Sequence, residues 1–453
     1  MEGRSLDIDA VVDSQQRSWF SISLLLLCCL VMMVDGYDNQ AINYAAPLII
    51  RDWNLARELM APVFSLSILG WMLGSVGFSV LGDRIGRRNS ILLSVALFGV
   101  FTVAIPLAGN LVQLTGLRFL AALGIGGAVP MVVALLSDSS KAGSKALKIC
   151  VLYLGYTVGS SGGGFLAATI TPAYGWKSIF LIGGAGAILA CVVLAMALPE
   201  SIRYLVLSGA PRTRVAAALR NMRPDLSFPE GTEFVMRETS QRRLPVQSLF
   251  TDGRTAITIF LWLALALSFV THFYVSAWLT TLLSDYSGRM TIPVAQRTAA
   301  LFQMGAAFGV VMGWLVDRRG ISALTSVMLL AAVPVAAMGI AGSSAAAAMS
   351  LSTISGILVL GSAPGLNALA GMVYPAFMRC TAAGAAFATA RIGAIIGPAI
   401  AGALIALRAP LEVIFAVGAL PMLAAAAATF MLDRSMAASK AGGIAETPVM
   451  ARR

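Results

Sequence analysis

Five ionisable side chains stand inside stretches that are otherwise too apolar to hold a charge cheaply: Asp35, Asp38, Arg118, His272 and Arg391. Each type has distinct chemistry. A carboxylate can take up and release a proton. Arginine stays charged and grips a carboxylate with two parallel N–H groups while its plane stacks on a ring. Histidine exchanges protons near neutral pH or, neutral, donates to a phenol or carboxylate. Asp35 and Asp38 lie in Met33-Val34-Asp35-Gly36-Tyr37-Asp38-Asn39-Gln40, within an apolar run from about Trp19 to Ile50. At helical spacing Asp35, Asp38, Asn39, Ile42 and Asn43 fall on one face, leaving the other face apolar. A charge at such a depth costs about 2.5 to 3.5 kcal/mol on insertion scales, and such groups mark proton relays or ion pathways. The alternative is a structural carboxylate that caps backbone or pairs with an arginine.

The elements that carry these residues follow from composition. The 453 residues are 58% hydrophobic and only 12% charged, which excludes a soluble globular protein and a disordered chain and points to an all-α polytopic membrane protein. Apolar runs bounded by charge, Gly or Pro predict twelve spans, near 20–49, 58–81, 90–108, 112–137, 146–171, 177–197, 255–284, 294–316, 321–340, 346–374, 381–407 and 411–432. The net charge of +11 is distributed unevenly. One set of alternate loops holds Arg84, Arg87 and Arg88, then Lys141, Lys145 and Lys148, nine Arg from Arg203 to Arg254, Arg318, Arg319 and Arg379; the other holds Arg51, Arg57, Lys177, Arg289, Arg297 and Arg408. The positive-inside rule then puts both termini in the cytoplasm, and the excess charge is topology, with no nucleic-acid partner implied. The five cysteines have no paired loop spacing, so neither disulfides nor a metal site is expected, and no cofactor motif is present.

The spans divide into two bundles, 19–197 and 255–432, with an arm over 1–18, a Pro- and Arg-rich cytoplasmic linker over 198–254 and a tail over 433–453. The division is also a repeat. Leu81-Gly82-Asp83-Arg84-Ile85-Gly86-Arg87-Arg88 after span 2 is matched by Gly313-Trp314-Leu315-Val316-Asp317-Arg318-Arg319-Gly320 after span 8, and Asp317 minus Asp83 gives 234. Such a turn suits a cytoplasmic latch, the aspartate accepting from N–H groups at a helix start or pairing with a neighbouring arginine while that side is shut. Asp138, at the cytoplasmic end of span 4, can join Arg84, Arg87 or Arg88. By the same offset His272 is the second-half counterpart of Asp38, which predicts a site role for it at the interface between halves. Arg118 and Arg391 are each expected either to hold a substrate carboxylate or to partner Asp35 or Asp38. Tyr37, Tyr156, Phe269, Phe273, Tyr274, Trp278 and Phe302 supply rings for a binding slot, and Asn39, Asn367 and Gln303 supply hydrogen bonds. Gly159 and the Gly162-Gly163-Gly164 run are expected to let helices approach closely.

The twelve spans, the six-plus-six repeat and the two Asp-Arg loops resemble the major facilitator superfamily over essentially the whole chain. Within it, Asp35-Gly36-Tyr37-Asp38, the stretch from Arg118-Phe119-Leu120 to Gly124-Ile125-Gly126-Gly127-Ala128-Val129-Pro130, and Tyr374-Pro375 through Arg379 to Arg391-Ile392-Gly393-Ala394-Ile395-Ile396-Gly397-Pro398 resemble the aromatic acid:proton symporters. That resemblance implies import of a benzoate-type or lignin-derived aromatic carboxylate with protons across a bacterial inner membrane by alternating access, by a monomer. It puts functional weight on Asp35, Asp38, Asp83, Arg118, Asp138, Asp317, Arg379 and Arg391. Ser79, Met131 and Asp138 depart from the family pattern, where Gly, Asn and Glu are usual. A drug or organic-cation exporter of the same superfamily and a non-transporting receptor are the rival readings, and Pro199-Glu200-Ser201-Ile202-Arg203-Tyr204 faintly suggests a sugar importer. Enzyme chemistry finds no support in a chain with one histidine and no nucleophile elbow or phosphate loop.

Overall fold

The computed structural model describes residues 5–14, 19–141, 144–223, 225, 233–235, 246–251, 254–288, 290–341, 344–374 and 379–441. In chain order these hold β1 (Ser5–Asp7), α1 (Ile8–Asp13), α2 (Trp19–Asp52), α3 (Met60–Ile85), α4 (Arg87–Ala104), α5 (Leu111–Asp138), α6 (Lys145–Tyr174), α7 (Lys177–Ala197), α8 (Ile202–Leu207), α9 (Arg212–Met222), β2 (Glu233–Val235), α10 (Thr255–Thr281), α11 (Ile292–Met304), α12 (Gly309–Arg319), α13 (Ile321–Ile340), α14 (Ala345–Val373), α15 (Arg379–Ala406) and α16 (Leu411–Ala441). Eleven helical stretches among the described residues are long and apolar enough to cross a membrane. The eighth expected span, 294–316, is present as a broken path instead. α11 gives way to a 3-10 turn at Gly305–Phe308 before α12 resumes. Glycine explains the break, because a Cβ on Gly305 would run into the backbone of Gly356 and one on Gly356 into the carbonyl of Phe302. The chain here yields regular α-geometry for a close approach to α14.

Two compact units result. The first holds 1–42, 66–166 and 170–240; the second holds 43–65, 167–169 and 241–453. In the first, α4 packs on α5 and α7, around a core that joins Cys28, Val31 and Met32 of α2 to Val95 and Phe98 of α4, Ile125 and Leu135 of α5, and Leu194 of α7. In the second, α13 packs on α16, α10 on α15 and α16, and α11 and α12 on α14. The ends of α2 and α3 and the loop between them are counted with the second unit.

The arm and the linker are more structured than polar composition suggests. β1 pairs in parallel with β2, Leu6 opposite Phe234. Ile8, Val11 and Val12 are buried against Ile202 and Leu205 of α8 and Val215, Leu219 and Met222 of α9. Burying three such side chains contributes about 1.5 to 3 kcal/mol each, enough to hold a short segment in place.

Candidate functional site

The first unit brings three helices together on Asp38. Arg118 Nη1 donates to Asp38 Oδ2 at 2.7 Å, and Nη2 donates to the Asp38 carbonyl at 2.6 Å and reaches the Asn39 carbonyl at 3.5 Å. Thr102 of α4 donates to the other carboxylate oxygen at 2.8 Å. Asp38 is 0% exposed and Arg118 2%, so the pair is cut off from solvent. Its geometry depends on glycine. A Cβ on Gly124 would meet the Ser94 carbonyl and Phe98 N, and one on Gly126 or Gly127 would strike Trp71 or Phe78; the Gly-Ile-Gly-Gly run therefore sets α5 close against α3 and α4, with Arg118 about two turns away on the same helix.

Asp35, one turn before Asp38, is fully buried as well. Beside it α2 lies tight on α6: a Cβ on Gly36 would meet the Tyr156 carbonyl, and one on Gly155 or Gly159 the Cys29 or Met33 carbonyl. Close approach is thus what Gly159 provides, and Gly163 packs on the Tyr37 ring, whereas Gly162 faces open space. Tyr37 is occupied structurally. Its ring rests on Gly163 and Gly183, and its hydroxyl donates to the Ile179 carbonyl at 2.9 Å. Tyr156 packs against the core of the first unit, while the side chain of Asn39 is half-buried.

The second unit gathers the other set. His272 and Phe273 on α10 have ring centroids 4.6 Å apart, with Phe269 at 6.0 Å from each. Arg391 lies on α15, the helix packed against α10. Glycine again permits this, since a Cβ on Gly393 or Gly397 would meet the Ala266 or Val270 carbonyl of α10. Gln303 is buried, its Nε2 donating to Ser276 Oγ at 3.0 Å. Tyr274 and Trp278 are fixed by bonds to the carbonyls of Ile414 and Pro398 at 2.6 and 3.0 Å, and Phe302 is fully buried. The side chains of Asn367, Asp317 and Arg379 are not among those described.

The first Asp-Arg turn is held by a network of ion pairs and hydrogen bonds, with one participant, Glu200, that the sequence reading had not connected to it. Arg87 Nε donates to Asp138 at 2.8 Å, and Ser201 Oγ donates to the same carboxylate oxygen at 2.8 Å. Asp83 is exposed and 3.6 Å from Arg87 one turn away. The helix start is instead capped by Glu200, whose Oε1 accepts from the N–H of Arg87 at 2.9 Å, Arg88 at 3.1 Å and Ser201 at 2.8 Å. Asp83 ends α3 and points outward, whereas Glu200 returns from α7 to the N-terminus of α4. Gly86 has φ of 96° and a Cβ there would strike the Glu200 carboxylate. Arg88 donates to the carbonyls of Leu198 and Ala195, and Tyr204 to that of Arg84. Met131 packs under this turn, its sulfur against Gly82. In the second copy Arg318 is exposed and stacks over the Trp314 ring at 4.4 Å. Thr102 was hidden from sequence reading, since a lone Thr in an apolar span carries no pattern; Glu200 was read only as part of the Pro199–Tyr204 string, far along the chain from the turn it caps.

Comparison with known proteins agrees with this architecture. Residues 28–361 match the family model of the Major Facilitator Superfamily. The chain is 32% identical to a gallate transporter of Pseudomonas putida over 426 residues, 93% of this chain and 94% of that protein. It is 32% identical to the 4-hydroxybenzoate transporter PcaK of Pseudomonas aeruginosa, over 94% of this chain and 95% of that one. A bacterial homologue of the human lysosomal transporter Spinster, solved in an inward-facing unoccupied conformation, superposes with a TM-score of 0.75 at 17% identity, covering 96% of this chain and 100% of that chain, a likeness of fold. The chain belongs to the Major Facilitator Superfamily and, within it, to the aromatic acid permeases.

Proposed function

We propose that the protein is a proton-coupled symporter that imports an aromatic carboxylate across the bacterial inner membrane by alternating access. The buried Asp38–Arg118 pair carries this reading. Replacing the carboxylate by a neutral acid removes the charge that holds Arg118, and a guanidinium left unpaired in a dry setting is strongly unfavourable. An arriving carboxylate supplies the missing charge. Proton and anion therefore favour each other's binding, and that mutual preference is coupling. Asp35 gives a second site for a proton on the same helix. Arg391, on the helix packed against the one that carries His272 and Phe273, offers a second cationic grip, and those rings offer an aromatic surface. The named relatives carry gallate and 4-hydroxybenzoate, which supports a small aromatic acid as cargo. One proton with one monoanion moves no net charge; a second proton would add about 2.3 kcal/mol per 100 mV of membrane potential.

The test is external pH during addition of a panel of aromatic carboxylates to proteoliposomes, native against Asp38→Asn. Alkalinisation with an acid, lost in the variant, is expected. Uphill uptake retained by Asp38→Asn overturns the assignment of Asp38.

A further inference from the structure

Within the first unit, the starts of α2 and α4, the end of α5 and the linker helices α8 and α9 enclose a cavity of about 250 Å³. Its polar lining is cationic. Arg88 uses Nε and Nη2 on the carbonyls of Leu198 and Ala195, which leaves Nη1 as a donor. Arg214 of α9 is exposed and has no ion pair among the described residues. Ser139 is only 4% exposed, yet its hydroxyl has no partner among the described residues, although a buried hydroxyl ordinarily has one. Asn221 stands two turns after Arg214 on the same face of α9. One carboxylate is present, that of Glu200, and its charge is already met by the N–H groups of Arg87, Arg88 and Ser201. A further cation stands close by, since Lys148 Nζ donates at 2.7 and 3.2 Å to Ser21 and Ser140, the chain neighbours of Phe20 and Ser139.

The remaining walls are apolar. Leu198, Ile202 and Leu205 are buried and Phe20 is half-buried, while the other face of α9, through Val215, Leu219 and Met222, is packed against the arm and fixes the helix in place. The volume falls below the about 300 to 1,000 Å³ of sites for drug-sized ligands, so it suits one ring with one charged group and excludes an acyl chain. It is also remote from the buried ion pair: α5 ends at Asp138, 20 residues after Arg118, or about 30 Å along the helix. We propose that this cavity is a second organic-anion site, for a small carboxylate that bears a ring. Arg214 and Nη1 of Arg88 hold the carboxylate, Ser139 and Asn221 donate to it, and Phe20 lies along the ring. A bound acid joins α9 to the start of α4 and so bears on the turn that Glu200 caps. The choice of anion rests on the lining alone, whereas the choice of a ring rests on the aromatic cargo proposed above.

The experiment is maleimide labelling of Ala217→Cys, an exposed position in the cavity wall, in full-length protein otherwise free of cysteine, with benzoate as the probe. Benzoate is expected to slow labelling. Arg214→Gln is expected to raise the half-protecting concentration about tenfold or more, the scale of one charged hydrogen bond. Asn221→Ala, also at an exposed position, should raise it by a smaller factor and serves if Arg214→Gln folds poorly. Protection is expected to survive Arg391→Gln. Protection that both cavity variants leave unchanged, or that Arg391→Gln abolishes, overturns the site. Inorganic phosphate protecting as well as benzoate overturns the choice of a ringed carboxylate, as does protection by phosphatidylglycerol nanodiscs, relative to phosphatidylcholine ones, with no benzoate added. Benzoate protection in a protein that takes up no aromatic acid keeps the site and removes only the proposed cargo; full uptake without protection removes the site alone.

Discussion

Arg118 binds Asp38 twice, through the carboxylate and through the same residue's backbone carbonyl, at 2.7 and 2.6 Å. The second bond survives protonation of the side chain. That bond is expected to hold Arg118 in place when the ion pair is dissolved, leaving its charge without the carboxylate that balanced it.

That arrangement separates charge from shape. Arg118→Ala leaves a buried carboxylate uncompensated and is expected to cost about 3 to 5 kcal/mol. Adding Asp38→Asn to Arg118→Ala should restore most of that loss, since no charge is left stranded. Arg118→Lys keeps the charge but cannot make both bonds of the fork; it should fold, yet lose most coupled uptake. Thermal unfolding in detergent and uptake in proteoliposomes read the two effects apart.

In the second unit, Arg391→Gln is expected to raise the KM for the transported acid about 10- to 100-fold, the loss of one or two charged hydrogen bonds. Arg391→Lys should recover part of it. His272→Gln, which keeps a hydrogen-bond donor but removes the ring packed 4.6 Å from that of Phe273, should raise KM by a smaller factor. Initial uptake rates against acid concentration measure each. An unchanged KM in Arg391→Gln assigns the carboxylate to Arg118.

Much of this was legible in sequence because the membrane simplifies the code. Apolar length and charge asymmetry mark spans, and a charge within a span announces itself: Asp35, Asp38 and Arg118 are all buried as their setting required. Topology brought Asp138 to the turn and left Arg84, Arg87 and Arg88 open as its partner; the structure pairs it with Arg87. Partner choice was less visible. Arg118 could have met Asp35, Asp38 or a substrate, and what decides is the helix packing set by Gly124, Gly126 and Gly127, a three-dimensional outcome of missing side chains. The broken eighth span was hidden for a related reason, since nothing in the composition of 294–316 marks a break at Gly305, and only the approach of Gly356 to Gly305 shows why α-geometry yields. The apolar residues of the arm, Ile8, Val11 and Val12, found a partner in α9, more than 200 residues on.

Glycine spacing in α6 gives a matched control. A Cβ at Gly159 would overlap the Met33 carbonyl, while nothing lies within 4 Å of one at Gly162. Gly159→Ala is expected to destabilise by about 1 to 3 kcal/mol through overpacking. Gly162→Ala should be neutral or slightly stabilising, because alanine suits a helix better than glycine by about 0.5 to 1 kcal/mol. Thermal midpoints of the two variants, measured side by side, test the reading of this helix pair; equal effects would remove it.

The capping of α4 by Glu200 makes the last prediction. Its Oε1 accepts three backbone N–H groups at 2.8 to 3.1 Å, and both the geometry and the negative charge at a helix N-terminus contribute. Glu200→Gln preserves an oxygen in the same place, so it should lose only the charge, about 0.3 to 1 kcal/mol. Glu200→Ala leaves the donors without their acceptor and should cost about 0.5 to 2 kcal/mol, freeing Ser201 and the Asp138–Arg87 contact that it adjoins. If the turn acts as a latch, Glu200→Ala should also alter the balance between inward and outward states, whereas a purely structural cap would lower stability and leave that balance alone. Thermal unfolding and thiol labelling of a cysteine introduced on the Arg84 side, in cysteine-free protein, distinguish the two. Reduced stability with unchanged labelling would leave Glu200 a helix cap and nothing more.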